Sequence, residues 1–534
     1  MKVTYLSGEF ICICAYEEKH IPKDGGFSWC VDKKEWYTNK LAIAKNLEEY
    51  WDNDAMLGAK YQQSIIDLSY AKTSNLSIPI PKNLKYSSYQ KAAVEYAENI
   101  VDCLIADEMG AGKTIEAIAL INYLDIKSKI LIICPASLKI NWQREIEKWL
   151  VRKEIKIAIA GKNIKNCQEI DILILSYQNI DKFKDIIDSI DFDLMICDEA
   201  HYLKNQKSKR TKNILGHRSV KKKIDIKRIS AKRRLFLTGT PILNKPIELW
   251  SLLNACGIFK NYRQFALRYC DAKETRFGFD CSGASNLDEL ASILRQKFMI
   301  RRLKKDILSE LPPKTRQTIV LEPPDNLKKI LAEEAKAIED YKQKMFDIAK
   351  MHRLNNDSVQ YNKSIARAES AFLLEYTKMR SKTAIGKIVP VFEYALDAIE
   401  QNGNIVIFAH HKELIAGLAD KFRNAGIKVG VLTGDTNINQ RQHVVDDFQS
   451  GKINVFIGSI QAAGVGITLT ACSTVIFAEL DWTPANIAQA EDRCHRIGQK
   501  DNVHSIFMVF DKTIDMLIAD KLSLKENIIK RVLL

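Results

Sequence analysis

Two stretches of this sequence alternate short apolar runs with segments of helical or polar character. The first stretch contains, in order, KILIIC, IKIAIA, DILILS, FDLMIC and RLFLTG. The second contains NIVIFAHH, KVGVLTGD, NVFIGSI, TVIFAEL and VHSIFMVF. Nearly continuous Ile/Leu/Val runs of this length are typical of parallel strands buried on both faces. The pattern therefore predicts two α/β domains, with functional loops after the carboxyl ends of the strands.

The remaining sequence divides the 534 residues further, because a chain of this length exceeds one ordinary core. FSWCVDKKEWYT predicts an aromatic hairpin near the N-terminus, and LAIAKNLEEYW an amphipathic helix after it. The hairpin aromatics are interpreted as a small core, with base stacking as the alternative. The predicted parts are a small N-terminal α+β module for binding DNA structure (1–75), the first α/β lobe (76–260), a helical insertion and linker (261–390) and the second α/β lobe (391–534).

Charge and composition narrow the class of protein. The 80 Lys and Arg residues exceed the 66 Asp and Glu residues, giving a net charge of +14. This excess favours a polyanionic partner such as nucleic acid, and a generally lysine-rich surface is the alternative. No apolar run approaches the roughly 20 residues that cross a bilayer, and the N-terminus lacks a signal-peptide pattern. The twelve cysteines form no CxxC pair, so reduced thiols in an intracellular compartment are expected and no zinc site is predicted.

The stretch DEMGAGKT lies between an apolar run, VDCLIA, and a segment with helical periodicity, IEAIALINYL. A strand, a glycine loop, Lys-Thr and a helix are the setting of a phosphate-binding loop. Asp107 departs from the pattern GxxxxGK[ST], but Gly110 and Gly112 can still form the turn. Lys113 is predicted to reach the β/γ-phosphates and Thr114 to bind Mg²⁺. The predicted nucleotide-binding residues are Asp107, Glu108, Met109, Gly110, Ala111, Gly112, Lys113 and Thr114.

Two acidic residues, Asp198 and Glu199, end the apolar run FDLMIC. Phosphoryl transfer requires one carboxylate to hold Mg²⁺ and another to orient the attacking water, and we assign these roles to Asp198 and Glu199. The segment LTGTPILNKPIELW follows another core run, and its small hydroxyl residues, including Thr238 and Thr240, could hydrogen-bond the acidic site. Thr240 is the candidate for coupling that site to a neighbouring surface. A capping turn before a helix explains the same residues structurally.

A polar segment, NIAQAEDRCHRIGQ, is predicted as a helix with Gln489, Arg493 and Arg496 on one face. If the two lobes close on a nucleotide, the two arginines are fingers for the γ-phosphate. A solvated face paired with Glu491 and Asp492 is the alternative. The densest basic run, residues 204–234, is a candidate for phosphate contacts, and a mobile solvated loop is the alternative for 216–229.

These blocks, in this order and spacing, resemble the Swi/Snf-type DNA translocases of helicase superfamily two. DEMGAGKT resembles the family's first motif, including its Asp at the first position. Further blocks from residues 84 to 510 are CPASLKINWQREIEKW, LSYQNI, DEAH, LTGTP, FMIRRLKKDILSELPPK, VLTGDT, SIQAAGVGITLTAC and QAEDRCHRIGQ. FAHHKELI and the last block are most similar to the HepA-related, annealing-helicase branch, and the N-terminal hairpin is weakly similar to the module preceding that branch's motor.

The resemblance implies two RecA-like parallel-sheet lobes with family-specific helical insertions, ATP and Mg²⁺ between the lobes, and DNA across both. It implies that Gln90 recognises adenine and that Gln489 lies in the nucleotide site. Gly466 and Thr468 are implied to link the DNA grip to the ATP site. The implied DNA-contacting residues are Ser137, Ser176, Tyr177, Thr433, Gly434 and Ser459. Ala111 departs from the Leu common in the first motif, and the basic run after DEAH is longer than usual.

The sequence thus predicts a monomeric, DNA-dependent ATPase that translocates on duplex or branched DNA and remodels it, including annealing or fork remodelling in repair. Two alternatives stay open: a strand-separating helicase, and an ATP-gated clamp or switch that displaces a bound protein such as RNA polymerase. The expected location is the cytoplasm, in association with the nucleoid, for a prokaryotic or viral protein, and the nucleus for a eukaryotic one.

Overall fold

A computed structural model gives the structure of most of the chain. It describes residues 1–519 except 128, 161–169, 220–223, 243–244, 276–277, 282, 309, 356–363, 365–367, 369–379, 464–465, 514 and 517. Among the helices so described, none is both long enough and apolar enough to pass through a bilayer.

The N-terminal residues form a small antiparallel sheet with the strand order β1-β2-β4-β3. Its strands are β1 (Lys2–Leu6), β2 (Glu9–Ile13), β3 (Ser28–Cys30) and β4 (Glu35–Thr38). The predicted hairpin is present, with Trp29 opposite Trp36 in the register of β3 and β4. The helix expected from Leu41 is shorter than predicted: it ends at Ala44, and Leu47 in the next turn has non-helical backbone angles. A longer helix, Asn53–Tyr70, follows.

A seven-stranded parallel sheet forms the first lobe, in the order β15-β5-β12-β9-β6-β8-β7. Its strands are β5 (Asp102–Ile105), β6 (Ile130–Cys134), β7 (Ile157–Ile159), β8 (Ile172–Ser176), β9 (Phe192–Asp198), β12 (Ala231–Leu237) and β15 (Met299–Ile300). Two short hairpins lie outside this sheet: β10 (His217–Ser219) with β11 (Ile224–Ile226), and β13 (Lys273–Thr275) with β14 (Gly278–Asp280).

Helices cover both faces of the first sheet, which explains why its strands are apolar on both sides. Alternate residues of one strand enter different cores: Leu131 and Ile133 face one cluster, and Ile130 and Ile132 the other. The helices of this lobe are Ser88–Asn99, Lys113–Tyr123, Lys139–Trp149, Lys184–Asp188, Lys209–Leu215, Trp250–Ala255, Tyr262–Tyr269 and Leu287–Lys297.

The second lobe is a six-stranded parallel sheet in the order β16-β21-β20-β17-β19-β18. Its strands are β16 (Lys314–Leu321), β17 (Ile405–Ala409), β18 (Val429–Leu432), β19 (Val455–Ser459), β20 (Thr474–Phe477) and β21 (Val503–Phe510). The helices from residue 304 onward are Lys304–Ile307, Lys328–Asn355, Ile388–Asn402, Lys412–Asn424, Ile438–Gln449, Ile460–Ala463 and Pro484–Glu491. The predicted fold class, two RecA-like parallel-sheet lobes with a small N-terminal antiparallel module, is confirmed.

The range 261–390, predicted as helical insertion and linker, supplies an edge strand to each large sheet. The two-residue strand β15 pairs with β5 of the first lobe, and β16 pairs with β21 of the second. The sequence did not predict these strands, because β15 has only two residues and β16, KTRQTIVL, is a largely exposed edge strand rather than a buried apolar run. The division at residues 260 and 390 stays a prediction, and residues 301–313 connect the two sheets.

Candidate functional site

The DEMGAGKT loop joins β5 to the helix Lys113–Tyr123 in the predicted strand–loop–helix order. Gly110 and Gly112 have φ values of 83° and 87°, a left-handed backbone that favours glycine. The Lys113 ammonium folds back over the loop and donates to the carbonyl oxygens of Asp107 (2.8 Å) and Glu108 (3.2 Å). Thr114, the second residue of the helix, is partly exposed. The loop therefore places a cation and a helix N-terminus together, as an anion-binding turn does.

Asp107, the residue that departs from the common loop pattern, is fully buried in an ion pair with Arg302. Arg302 also donates its backbone N–H to Asp107 Oδ1 at 2.9 Å and approaches Glu116 Oε1 at 3.2 Å. Burial raises the pKa of Glu116 well above its usual range, and the nearby Asp107 charge raises it further. The Asp107 carboxylate thus holds the loop against the segment FMIRRLKK, and only its backbone remains for nucleotide binding.

Replacing Arg302 with methionine should strongly destabilise the first lobe. The Asp107 carboxylate would stay buried without its cation, and breaking one side of a buried pair costs about 3–5 kcal/mol. Urea denaturation followed by tryptophan fluorescence measures the loss of unfolding free energy. The neighbouring exposed Lys305→Met is the matched control and should unfold like the wild type. Equal stability of the Arg302 variant would contradict the structural role of this pair.

Asp198 and Glu199 lie at and just after the carboxyl end of β9, as predicted. Asp198 accepts hydrogen bonds from Trp142 Nε1 (2.8 Å) and from the Glu199 backbone N–H (2.9 Å). Burial and the adjacent Glu199 charge raise the pKa of Asp198 to about 6. Burial opposes ionisation of Glu199 as well, but His201, Lys113 and Arg493 of the second lobe lower its pKa overall. Glu199 is therefore ionised at neutral pH.

A hydrogen-bonded chain connects this acidic pair to the segment LTGTP. His201 Nδ1 lies 3.3 Å from Glu199 Oε2 and 3.1 Å from the Thr238 hydroxyl. The Thr238 hydroxyl also accepts the backbone N–H of Thr240 at 3.1 Å. Thr240 Oγ1 is buried and has no hydrogen-bond partner among the described residues. Of the two interpretations of LTGTP, the structure shows hydrogen bonding to the acidic loop, formed between the Thr238 hydroxyl and His201.

The second lobe brings Gln489, Arg493 and Arg496 to the same place. Gln489 Nε2 reaches Glu199 Oε1 at 3.4 Å, and Arg493 donates to the Gln489 carbonyl at 3.1 Å and the Ile467 carbonyl at 3.4 Å. Arg496 donates to the same Ile467 carbonyl at 3.3 Å. A Cβ atom added to Gly110 would stand 2.8 Å from the Arg496 Cβ, so the phosphate loop and this segment are in contact.

The helix predicted for residues 486–499 is wrong in length, because it spans Pro484–Glu491 and gives way to turns. Arg493 and Arg496 therefore lie beyond its end rather than at successive positions on one helical face. The alternative interpretation, a solvated face in which the arginines pair with Glu491 and Asp492, does not describe the structure. Glu491 pairs with Lys314 and Arg316, and Asp492 with Lys304. Burial and the neighbouring Arg493 charge lower the pKa of Arg496 to about 10.

Gln90, implied to recognise adenine, is buried beside the phosphate loop. Its Oε1 accepts the Ser87 backbone N–H at 2.9 Å, forming the cap of its helix, and its Nε2 would lie 2.8 Å from a Cβ on Gly112. Tyr89 donates its hydroxyl to the Ala111 carbonyl at 2.8 Å. A cleft of about 840 Å³ opens here between residues 85–89 of the first lobe and 497–500 of the second. Its position beside the loop suits the base and sugar of a nucleotide.

Three of the residues implied to contact DNA belong to the first lobe. Ser176 and Tyr177 are buried, and Tyr177 donates its hydroxyl to the Asp198 carbonyl at 2.8 Å. The Tyr177 ring also stacks on Tyr202, with ring centres 5.2 Å apart. Ser137 lines a narrow cleft between the lobes, about 190 Å³ in volume. Tyr177 thus supports the acidic loop from beneath, and DNA contact by these three residues stays a prediction.

The second-lobe candidates lie where its strands end. Thr433 and Gly434 follow β18, and Ser459 is the last residue of β19. The two strands are parallel neighbours, with Leu432 opposite Gly458, so these three residues lie at the same edge of the sheet. Gly466 has a φ of 80° and packs so closely on Leu138 that a Cβ would collide with that side chain. Thr468 is partly exposed two residues later. Gly466 therefore forms a contact between the lobes beside Ser137, which suits a coupling role, although that role stays a prediction.

The basic run 204–234 contains the helix Lys209–Leu215, the hairpin of β10 and β11, and most of β12. Residues 220–223 lie outside the described part of the chain. Sequence reasoning missed Trp142, Arg302 and Lys304 as site residues. The only available signal was their position inside the blocks CPASLKINW and FMIRRLKK.

Comparisons with known proteins agree with this arrangement. The family model described as SNF2-related domain matches residues 61–378, and the model described as helicase conserved C-terminal domain matches residues 387–498. A curated relative from Xenopus tropicalis, named SWI/SNF-related matrix-associated actin-dependent regulator of chromatin subfamily A-like protein 1, is 34% identical over 77% of this chain. The human DNA annealing helicase and endonuclease ZRANB3 is 33% identical over 86% of this chain. The chain spans 41% of the length of each of these two relatives.

Among solved structures, the chain is similar to the Sulfolobus solfataricus SWI2/SNF2 ATPase core in complex with dsDNA. The two are 22% identical, with a TM-score of 0.39, over 86% of this chain and 95% of that one.

Proposed function

Because the chain belongs to the SNF2-related family of helicase-like ATPases, we propose that it is a DNA-dependent ATPase that converts closure and opening of its two lobes into translocation along DNA. One observation carries the proposal. Lys113 and Glu199 of the first lobe and Gln489, Arg493 and Arg496 of the second converge on one cleft, although about 380 residues separate the ends of the set. Nucleotide hydrolysis needs basic groups to bind the phosphates and an acidic group to orient water, and the two lobes bring such groups together here.

The described residues fit ATP in this cleft. The loop from Asp107 to Thr114 and its helix N-terminus would hold the phosphates, with Lys113 leaving its carbonyl partners for the β/γ-phosphates. Gln90, which is buried next to Gly112 of the phosphate loop, would bind the base. Arg493 and Arg496, both turned from solvent by the surrounding protein, would stabilise charge that develops on the γ-phosphate.

The same residues fit Mg²⁺, because Asp198 and Glu199 are adjacent carboxylates largely shielded from water, and burial together with the Glu199 charge raises the pKa of Asp198. Thr114 and Asp198 would hold the ion, which supplies charge neutralisation of the phosphates. Glu199 Oε2, which is buried and lies 3.3 Å from His201 Nδ1, is placed to orient and deprotonate the attacking water.

DNA is the proposed partner, bound across both lobes. The net charge of +14 supports this assignment, because nucleic acid is a polyanion. The contact between Leu138 and Gly466 also supports it, because each residue lies in a block implied to bind DNA, one in each lobe. Since one relative is named an annealing helicase, remodelling of branched or partly unpaired DNA is the proposed outcome of translocation. The protein would accordingly work where the cell holds its DNA.

The proposal is tested by measuring ATP hydrolysis with single-stranded, duplex, forked and RNA ligands. We expect duplex DNA to stimulate hydrolysis and forked DNA to stimulate it most, with Lys113→Ala as the inactive control. A parallel assay with blunt and forked duplexes, and with a triplex, separates translocation from strand separation. Stimulation by RNA alone would contradict the DNA assignment. ATP-dependent DNA binding without length-dependent hydrolysis would indicate a nucleotide-gated clamp instead.

A further inference from the structure

The connection between the lobes carries a run of buried charges that the proposed chemistry does not use. This crossover segment, residues 301–316, contacts the phosphate loop at one end: Arg301 donates to the carbonyls of Ala106 (2.7 Å) and Gly239 (3.1 Å), and Arg302 pairs with Asp107. At its other end, Lys314 and Arg316 each lie 2.7 Å from the carboxylate of Glu491. The segment therefore touches both walls of the cleft.

Lys304 is the residue at which the crossover segment contacts both lobes at once. Its backbone N–H donates to Glu108 Oε2 of the phosphate loop at 2.6 Å. Its ammonium donates to Asp492 Oδ1 and to the His495 carbonyl, both at 2.7 Å. The Lys304 and Asp492 side chains are only 6% and 7% exposed, so water screens this pair little.

His495 completes the contact. Its Nδ1 lies 3.3 Å from the Lys304 ammonium, and its Nε2 lies 2.8 Å from the Pro312 carbonyl. Since an ammonium can only donate and a carbonyl can only accept, Nδ1 accepts and Nε2 carries the proton. The imidazole is thus a neutral ring held between two points of the crossover segment. Burial and the Lys304 charge both lower the pKa of His495, which keeps it neutral.

Lys304 binds two second-lobe residues, Asp492 and His495. Each is followed at once in the sequence by an arginine of the site, Asp492 by Arg493 and His495 by Arg496. We propose that Lys304 is a positioning residue that fixes both arginines against the phosphate loop for hydrolysis. The proposal rests on the proposed ATPase function and assigns to Lys304 a role that acts through the two arginines rather than on the nucleotide. Its physical basis is that the turns after Glu491 lack a helix to orient the arginines, so a buried hydrogen-bonded charge supplies the orientation.

The test compares the double variant Lys304→Met/Asp492→Leu with the wild type. Removing both charges avoids an unpaired buried ion, and apolar replacement of a buried pair is often neutral for stability. We expect kcat with saturating duplex DNA to fall about ten- to hundredfold, because small misplacements of catalytic groups cost that much. The KM for ATP and the affinity for DNA should stay within about twofold of the wild type, since the variant removes alignment rather than binding.

Lys305→Met is the matched control, because Lys305 is the next residue and is exposed. Its kcat should equal that of the wild type. Thermal denaturation shows whether the double variant is folded. A variant that keeps its kcat within about twofold of the wild type, whatever its melting temperature, would overturn the proposal, since a contact that only stabilises does not change turnover of the folded protein.

Hydrogen exchange measured by mass spectrometry gives a readout that does not depend on hydrolysis. In the double variant, amides of residues 107–112 and 492–496 should lose protection together, while the helix Lys412–Asn424 stays as protected as in the wild type. Unchanged exchange in both segments would overturn the proposal. If the wild type itself shows no DNA-stimulated hydrolysis, the proposed function fails, and the exchange result then decides separately whether Lys304 fixes the arginine segment.

Discussion

Glu199→Gln is expected to reduce ATP hydrolysis by about 10²- to 10⁴-fold, the range over which a general base contributes to a rate. The amide keeps the size of the side chain and its approach to Gln489 but cannot accept a proton. The native carboxylate is in the ionised form that this role requires, because its neighbours lower its pKa despite its burial. At neutral pH it is therefore ionised and ready to accept the proton of the attacking water.

Steady-state phosphate release, with and without duplex DNA, measures this loss. DNA binding by Glu199→Gln should match the wild type, since the Glu199 side chain is only 12% exposed and lies against Gln489 of the second lobe. Glu147→Gln, on an exposed position of the helix Lys139–Trp149, is the control and should hydrolyse ATP normally. Lys113→Ala should lose hydrolysis in parallel. Undiminished turnover in either site variant would refute the assignment of this cleft.

Arg493→Ala is expected to lower kcat by about 10³- to 10⁵-fold, as removal of an arginine finger does in related phosphoryl-transfer chemistry. Its guanidinium is buried, and the Glu199 charge acts on it across the lobes. The affinity for ATP should change little, because the phosphate loop and Gln90, which are proposed to bind ATP, belong to the first lobe and not to the segment that carries Arg493. The loss should thus appear in kcat and in kcat/KM equally, which is the signature of an interaction made in the transition state.

Binding of a fluorescent ATP analogue, together with kcat and KM, separates these quantities. Arg423→Ala removes an exposed guanidinium on another helix of the same lobe and serves as the control. An unchanged kcat in Arg493→Ala would remove its role as a finger. A large rise in KM with a normal kcat would instead assign Arg493 to ground-state binding.

The α/β architecture was predictable because apolar runs such as KILIIC and NIVIFAHH report burial on both faces of a strand. The edge strands escaped this signal for a physical reason. Strand β15 has two residues, and β16 is largely exposed, so neither carries the run of apolar residues that marks a central strand. The end of the helix that precedes Arg493 and Arg496 was likewise missed, because its polar residues show no periodicity that would stop at Glu491.

In the site, sequence proximity identified the residues that act together on one loop, such as Lys113 with Thr114 and Asp198 with Glu199. It also suggested that Arg493 and Arg496 belong to the same chemistry. Sequence proximity could not identify the residues that hold these groups in place. Arg302 and Lys304 are ordinary basic residues in FMIRRLKK, and nothing in their spacing distinguishes them from the exposed Lys305.

The sequence by itself determined the two lobes, the glycine loop and the chemical groups at the strand ends, because these features depend on local patterns of apolar and polar residues. The tertiary structure alone decided which charges are buried and with what partners. Asp107 became an anchor for Arg302, and Asp492 became a partner of Lys304 rather than of the arginines beside it. The members of these two pairs lie 195 and 188 residues apart in the chain, so only the tertiary structure brings them together. The first pair meets beside β15 in the first lobe, and the second meets where the crossover segment packs against the second lobe.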